Sequence, residues 1–273
     1  QIIKTMESLE FSKDQKKAIV HTYVPVDPNL MKASLGKKAN NYNDIINQVN
    51  KLIKIATDSG FEVEFSPEGY SKIENNFDFT TDAIRAAVDA GANIINCPDT
   101  IGGACKWQGD NYFVNNMQKH NDIISKEFPN RDIIWSTHCH NDLGLALDNS
   151  MNAVFNGPAR QIEGCINGIG ERAGNVAIEQ CILLIDKFGD SANTKNSFFT
   201  NANMKYIKQI SDFVSDKMLP RQPHWPISGD NAAKHTSGGH TNAILKNPEV
   251  YQPFDPKTVG DEMNLEILRD GRT

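Results

Sequence analysis

The hydrophobic positions of the chain follow two spacings, one typical of strands and one typical of helices. Short apolar runs that begin near residues 18, 61, 92, 133 and 161 predict five buried strands. Between and after them, apolar residues recur every three or four positions, which predicts helices over residues 42–59, 78–90, 110–127, 175–188 and 203–218. Residues 24–41 are polar and rich in Pro, Lys and Asn, so we expect a loop there. This strand–helix alternation predicts an α/β protein with a parallel sheet.

Polar residues follow each predicted strand. They are His21, Ser66 with Glu68, Thr100, His138 with His140, and the segment 171–175. A TIM (β/α)8 barrel collects its chemistry at the carboxyl ends of its strands, so we predict a barrel of this type. A closed barrel needs eight strands and only five are visible, so the prediction is a partial barrel. A doubly wound open sheet is the structural alternative, but no GxGxxG sequence opens a helix after the first strand.

The pair His138 and His140 ends the apolar run that begins at Ile133. A strand places residues i and i+2 on the same face, so both imidazoles should point one way and Cys139 the other. Neutral imidazoles bind zinc and other divalent first-row metals. A hydrogen-bonded histidine pair at a strand end is the plainer interpretation, and the spacing alone does not separate the two.

Composition narrows the function classes. The net charge is −6 with a pI of about 5.7, which argues against a general nucleic-acid binder. No apolar run approaches the roughly 20 residues of a membrane span. The five cysteines are odd in number and form no CxxC pair, so we expect reduced thiols rather than disulfides or a zinc finger. We therefore expect a cytoplasmic protein with neither a nucleic-acid nor a membrane partner.

Two longer motifs narrow the prediction further. HCHNDLGLA begins at His138, and EGCINGIGERAGN ends at Asn175. Together they resemble the 2-isopropylmalate synthase family of metal-dependent TIM-barrel condensing enzymes, from about Ala18 to Gly260. The resemblance implies that the visible strands are strands four to eight. The family carries an LRDG motif on strand one, whereas here Leu268–Gly271 has this sequence at the far end of the chain. Coincidence, a displaced segment and the way the chain was assembled are the alternatives, so Asp270 is not assigned as a ligand.

The resemblance also implies roles for individual residues. His138, His140 and Asn175 would bind a divalent metal, Mn²⁺, Mg²⁺ or Zn²⁺, while the charged ligand that strand one supplies in the family is missing. Glu68 would be the active-site glutamate, although an exposed loop carboxylate is the plainer interpretation.

Five more residues complete the predicted site. Thr100, His21 and Ser66 would bind the substrate, with a turn cap as the alternative for Thr100 and ordinary loop polarity for the other two. His240 and Tyr251 would act as acid and base from a subdomain after the barrel. Tyr251 could equally anchor an interface.

The resemblance implies three segments and one reaction. Residues 1–195 would form the partial barrel, 196–228 a helical linker and 229–273 a small subdomain carrying His240 and Tyr251. Acetyl-CoA would condense with a 2-oxo acid, 2-oxoisovalerate first, in leucine biosynthesis. Citramalate or homocitrate synthase, a hydroxymethylglutaryl-CoA lyase-like enzyme and a non-enzymatic metal-binding scaffold stay as alternatives. Because residues 231–260 are poor in apolar side chains, we expect them to dock on another chain or on the barrel, and we predict a homodimer through the segment after Pro220.

Overall fold

A computed structural model describes residues 2–9, 18–190 and 197–265. The described residues form two compact units. The first is drawn from Gln1–Gly164 and Gly170–Val176, and the second from Cys165–Ile169 and Ala177–Thr273. The LRDG sequence at 268–271 lies outside the described residues. The predicted three-segment division stays a prediction.

A five-stranded parallel sheet organises the first unit. Its strands are β1 (Ile19–Pro25), β2 (Glu62–Glu68), β3 (Ile94–Asp99), β4 (Ile134–Cys139) and β5 (Ala159–Glu163). They pair in chain order, each parallel to the next. A doubly wound sheet reverses its strand order at a switch point, so the sequential order favours the barrel that the sequence predicts. All six residues of β3 are buried, including the polar Asn96 and Asp99.

Helices connect these strands. In chain order they are α1 (Ile2–Ser8), α2 (Pro28–Leu35), α3 (Tyr42–Asp58), α4 (Phe77–Asp89), α5 (Phe113–Glu127) and α6 (Ala146–Phe155). Short 3₁₀ helices cover Gly36–Asn40, Tyr70–Lys72 and Lys106–Asn111. In α3 the apolar stripe Ile45, Val49, Ile53 and Ala56 is buried, at the spacing that predicted the helix.

The second unit is smaller and rich in helix. It contains α7 (Ile178–Phe188), α8 (Ile207–Lys217), the short strand β6 (Lys234–His235), α9 (Gly238–Lys246) and β7 (Asn264–Leu265), which pairs with β6. Its 3₁₀ helices are Ile166–Gly168, Met204–Tyr206, Pro248–Val250 and Pro256–Val259. Leu183, Ile207 and Val259 form its buried apolar cluster. The predicted α-rich subdomain is therefore observed.

Two predicted elements are wrong. The expected loop over 24–41 contains α2, which Asp27 caps by accepting from Asn29 N–H at 2.8 Å, with Pro28 in the first helical turn. The apolar run that begins near residue 161 continues to Ile166 and predicts a strand of that length, but β5 ends at Glu163, so Cys165 lies outside the sheet. Gly164 and the left-handed Asn167 (φ 58°) follow, and both favour a turn over a strand.

The five cysteines all lie within the described residues, and no disulfide joins any two of them there. Cys97, Cys139 and Cys181 are buried, and reduced thiols stay a prediction. Across the described ranges, no helix combines the length and the apolar character that crossing a membrane requires.

Candidate active site

The two imidazoles at the end of β4 lie together. Nε2 of His138 is 3.2 Å from Nε2 of His140, and the rings meet edge to face. This geometry confirms that the two side chains share one face. Two nitrogens that each bind one ion at about 2.1 Å lie about 3.2 Å apart when the angle at the ion is about 100°. The separation therefore suits a shared ion as well as a direct hydrogen bond.

Both rings are held neutral. Burial, and then the charges of the neighbouring His140 and His21, lower the pKa of His138 to about 4. Burial also lowers the pKa of His140, as does the charge of Arg172. A metal ligand must present an unprotonated nitrogen, so both histidines are ready to bind a metal at neutral pH.

The segment before Val176 brings Asn175 to the same place. Asn175 pairs with His140 in an isolated antiparallel bridge. The flanking hydrogen bonds run from Asn141 N–H to the Gly174 carbonyl (2.9 Å) and from Val176 N–H to the Cys139 carbonyl (3.0 Å). Gly170 packs so closely on the Asn175 amide that a Cβ at this position would overlap it. The bridge thus brings the backbone of Asn175 beside His140, and two imidazole nitrogens with one amide oxygen are a donor set that fits a divalent metal.

Glu64 and Glu163 form a carboxyl pair, and Glu163 lies beside His138. Glu163 Oε2 is 3.5 Å from His138 Nδ1 and accepts from Asn96 Nδ2 at 2.9 Å. Burial, and then the hydrogen bond and charge of Glu64, raise the pKa of Glu163 to about 9. Glu64, Glu163 and His21 also place possible ligand atoms within 4.8 Å of one another.

Sequence reasoning missed Glu64, Asn96 and Glu163 as site residues. A usable signal was present, since Glu64 stands two positions before Ser66 on β2 and therefore shares its face. A carboxylate that lies inside an apolar run, two positions from a predicted site residue, should be added to that site.

The predicted substrate residues lie on neighbouring strands. His21 Nε2 is 2.7 Å from the Ser66 hydroxyl, which also accepts from Asn96 Nδ2 at 3.1 Å. The Thr100 hydroxyl accepts from Gly69 N–H at 2.9 Å, a contact with the loop after β2 rather than a local cap, and a hydroxyl that accepts can also donate its own hydrogen. Glu68 ends β2 in a half-buried position, and burial raises its pKa.

An exposed ion pair joins Arg172 to Asp142, which follows β4. Arg172 donates from Nε and Nη2 to the two oxygens of Asp142, at 2.8 and 2.9 Å. This contact lowers the pKa of Asp142. Arg172 adopts a left-handed conformation (φ 56°), which is uncommon for a side chain of this size.

The remaining two candidates lie in the second unit. The rings of His240 and Tyr251 stack with centroids 3.9 Å apart, and the His235 ring lies 6.3 Å from that of His240. Burial, followed by the charge of His240, lowers the pKa of His235. The structure therefore brings His240 and Tyr251 together, while the other seven predicted residues belong to the first unit.

Comparison with known proteins places the chain in a family. The HMGL-like family model matches residues 1–214, and a homocitrate synthase post-HMGL domain-like model matches residues 227–270. The chain therefore belongs to the HMGL-like family. Within it, the chain is similar to curated 2-isopropylmalate synthases, which confirms the resemblance that the two motifs indicate.

Two of these relatives illustrate the similarity. The protein from Saccharolobus solfataricus is 38% identical over 227 residues, covering 82% of this chain and 53% of the relative. The protein from Nitrosomonas europaea is 36% identical over 272 residues, covering 98% of this chain and 49% of the relative. The chain thus spans about half the length of the curated relatives it matches.

Solved structures support the fold. The chain matches hydroxymethylglutaryl-CoA lyase from Pseudomonas aeruginosa with a TM-score of 0.56 at 14% identity, covering 88% of this chain and 71% of that chain. It matches the HMG-CoA lyase from Brucella melitensis with a TM-score of 0.54 at 14% identity, covering 78% and 71%. With the parallel sheet in sequential order, these matches confirm the TIM-barrel type of fold.

Proposed function

We propose that the chain carries the catalytic chemistry of a 2-isopropylmalate synthase-like enzyme. In this reaction the methyl carbon of acetyl-CoA loses a proton and attacks the carbonyl carbon of a 2-oxo acid. Water then cleaves the thioester and free CoA leaves. The observation that carries the proposal is the contact between His138 and His140, with Asn175 bridged to His140, in a chain similar to curated 2-isopropylmalate synthases.

We propose His138, His140 and Asn175 as the ligands of a divalent metal. Mn²⁺, Zn²⁺ and Mg²⁺ are the candidates, and the two imidazoles favour the first two over Mg²⁺. When bound, the ion supplies Lewis-acid polarisation of the 2-oxo acid carbonyl. Glu163 stands 3.5 Å from His138 Nδ1, the position from which an outer carboxylate orients a ligating histidine.

The substrate-binding proposal uses three groups on β1, β2 and the loop after β3. The Thr100 hydroxyl can donate to the carboxylate of the 2-oxo acid. The hydrogen-bonded pair of His21 and Ser66 offers polar atoms on the adjacent strands. Specificity for 2-oxoisovalerate rests on the relatives' names alone.

Proton transfer needs groups that change charge near neutral pH. Glu68 is a candidate base, because burial raises the pKa of its carboxyl from its ordinary value. His240 and Tyr251 are the candidate acid and base of the second unit, and their stacked rings hold the two side chains side by side.

We propose that the chain works as a homodimer through the segment after Pro220. Met218 and Leu219, just before this segment, are 64% and 62% exposed. Exposed apolar neighbours of this kind mark an interaction site when they form one patch. A cytoplasmic location, with neither a membrane nor a nucleic-acid partner, stays a prediction.

Homocitrate synthesis is the second candidate, because the model that matches residues 227–270 is named after homocitrate synthase. Release of free CoA from acetyl-CoA in the presence of different 2-oxo acids tests both. We expect 2-oxoisovalerate to give the fastest release, whereas pyruvate would indicate citramalate synthesis and 2-oxoglutarate homocitrate synthesis. Cleavage of hydroxymethylglutaryl-CoA without condensation would indicate the lyase. No turnover with any of these substrates, with metal bound, would favour a scaffold.

A further inference from the structure

The carboxylate of Asp99, at the end of β3, is fully buried. Its Oδ1 accepts from the Ser71 hydroxyl at 2.7 Å and from Gly103 N–H at 3.2 Å, and its Oδ2 accepts from Ala104 N–H at 2.9 Å. Burying a carboxylate is costly unless donors of this kind replace its water. Donors from two different loops therefore satisfy the buried carboxyl group at the end of β3.

Those two loops carry candidate site residues. Ser71 lies three residues after Glu68, in the 3₁₀ helix that follows β2, whereas Gly103 and Ala104 follow Thr100. Between the two loops, Gly69 N–H also donates to the Thr100 hydroxyl at 2.9 Å. The backbone just after Glu68 is thus tied to the backbone around Thr100, with the Asp99 side chain at the centre.

The same loop also abuts the strand end that carries the imidazoles. The Asp99 carbonyl accepts from His140 N–H at 3.3 Å. Gly102 (φ 61°) sits so close to Asp142 that a Cβ would come within 2.5 Å of the Asp142 carboxylate. Arg172 Nη2 donates to the Thr100 carbonyl at 2.8 Å. A shift of the loop after β3 would therefore displace His140 as well as Glu68.

We infer that Asp99 is a positioning residue, whose carboxylate fixes the loops after β2 and β3 and so sets where the Glu68 side chain stands. Asp99 acts through Ser71 and the loop amides rather than on a substrate. The inference rests on the proposed condensation for its kinetic consequence, but the hydrogen bonds themselves are independent of the reaction.

Asp99→Asn is the most informative variant because the Asn side chain has nearly the same shape as that of Asp. The remaining oxygen can still accept from Ser71 and Gly103, while the new NH₂ group faces the Ala104 N–H, donor against donor. Misplacement of a catalytic group by about 1 Å costs up to about 10²-fold in rate, so we expect kcat to fall by one to two orders of magnitude with the KM for acetyl-CoA little changed. Asp89→Asn is the matched control, because it removes an exposed carboxylate at the end of α4 that accepts from Asn50 of α3.

A double-mutant cycle with Glu68→Gln separates positioning from general weakening of the fold. If Asp99 acts by placing Glu68, Asp99→Asn should cost less than about 3-fold once the Glu68 carboxylate is gone, since coupled residues are not additive. Equal costs in both backgrounds would overturn the inference. Ser71→Ala removes a single link, and it should lower kcat in the same direction if Asp99→Asn fails to fold.

Amide hydrogen exchange gives a result that does not depend on turnover. In Asp99→Asn we expect exchange at Gly103 and Ala104, and at Gly69 and Ser71 in the other loop, to accelerate at least about 10-fold while Trp135 in β4 keeps its protection. If the wild type releases no CoA, the proposed function is rejected, but the exchange rates still test the role of Asp99. Unchanged exchange in all four loop residues would reject the inference about Asp99, whatever the activity.

Discussion

Acid should weaken the first unit through His120, a fully buried histidine of α5. The Thr81 hydroxyl donates to the Phe77 carbonyl (2.9 Å) and so must accept from His120 Nε2–H, also at 2.9 Å. Nδ1 then accepts from the Tyr70 hydroxyl at 2.6 Å. The ring is therefore neutral and every polar atom has a partner.

The magnitude follows from the pKa of this histidine. Burial lowers the pKa of His120 from 6.5 to about 4. Because the unfolded chain takes up the proton at higher pH than the folded one, the stability is fully present above about pH 6.5 and declines as the pH falls. The difference of about 2.5 pKa units corresponds to about 3 kcal/mol, of which about 2 kcal/mol is lost by about pH 5.

Urea unfolding at about pH 8 and about pH 5, followed through the fluorescence of the buried Trp135, measures this loss. The comparison is with His120→Asn, which does not titrate, and both proteins are kept free of metal. His138 titrates equally in the two proteins, so its contribution cancels. We expect the stability advantage of the wild type to shrink by about 2 kcal/mol between the two pH values. A constant advantage would refute the assignment of a buried neutral His120.

Three further predictions concern the site and the assembly. Gly170→Ala should displace the Asn175 side chain and weaken metal affinity about 10-fold or more, as titration with Mn²⁺ would reveal, whereas Gly238→Ala, with open space around its Cβ, should not. His240→Ala and Tyr251→Phe should bind metal and 2-oxo acid almost normally, yet condense on the order of 10²–10⁴-fold more slowly; normal turnover in both would remove them from the mechanism. Sedimentation at micromolar concentration should find a dimer, and a fully active monomer would contradict the proposed assembly.

Spacing along single strands predicted much of the candidate site. The period of two residues placed His138 and His140 on one face, and the observed contact between their Nε2 atoms agrees. The position of Asn175 came from a family motif rather than from spacing. Its bridge to His140 depends on chain pairing that periodicity does not encode.

Other features depend on burial and on contacts between distant residues, which a single sequence does not display. Asp99 is an ordinary acidic residue in the sequence, and its importance comes from Ser71 and the loop amides, which surround it only in the fold. The helix α2 was missed because Pro, Lys and Asn are frequent around it, although Leu30, Met31, Ala33 and Leu35 make up half of the helix. Pro28 after Asp27 was a start signal that deserved more weight than the composition.

Metal-dependent condensation by the pair His138 and His140 is tested most directly by following free CoA from acetyl-CoA and 2-oxoisovalerate. The chain would be assayed after chelation and again after return of Mn²⁺ or Zn²⁺, with His140→Ala and the matched control His224→Ala alongside. We predict release that disappears on chelation, returns with metal in the wild type and in His224→Ala, and stays absent in His140→Ala together with metal binding. Release that survives chelation, or that His140→Ala leaves unchanged, would contradict a metal centre at these histidines.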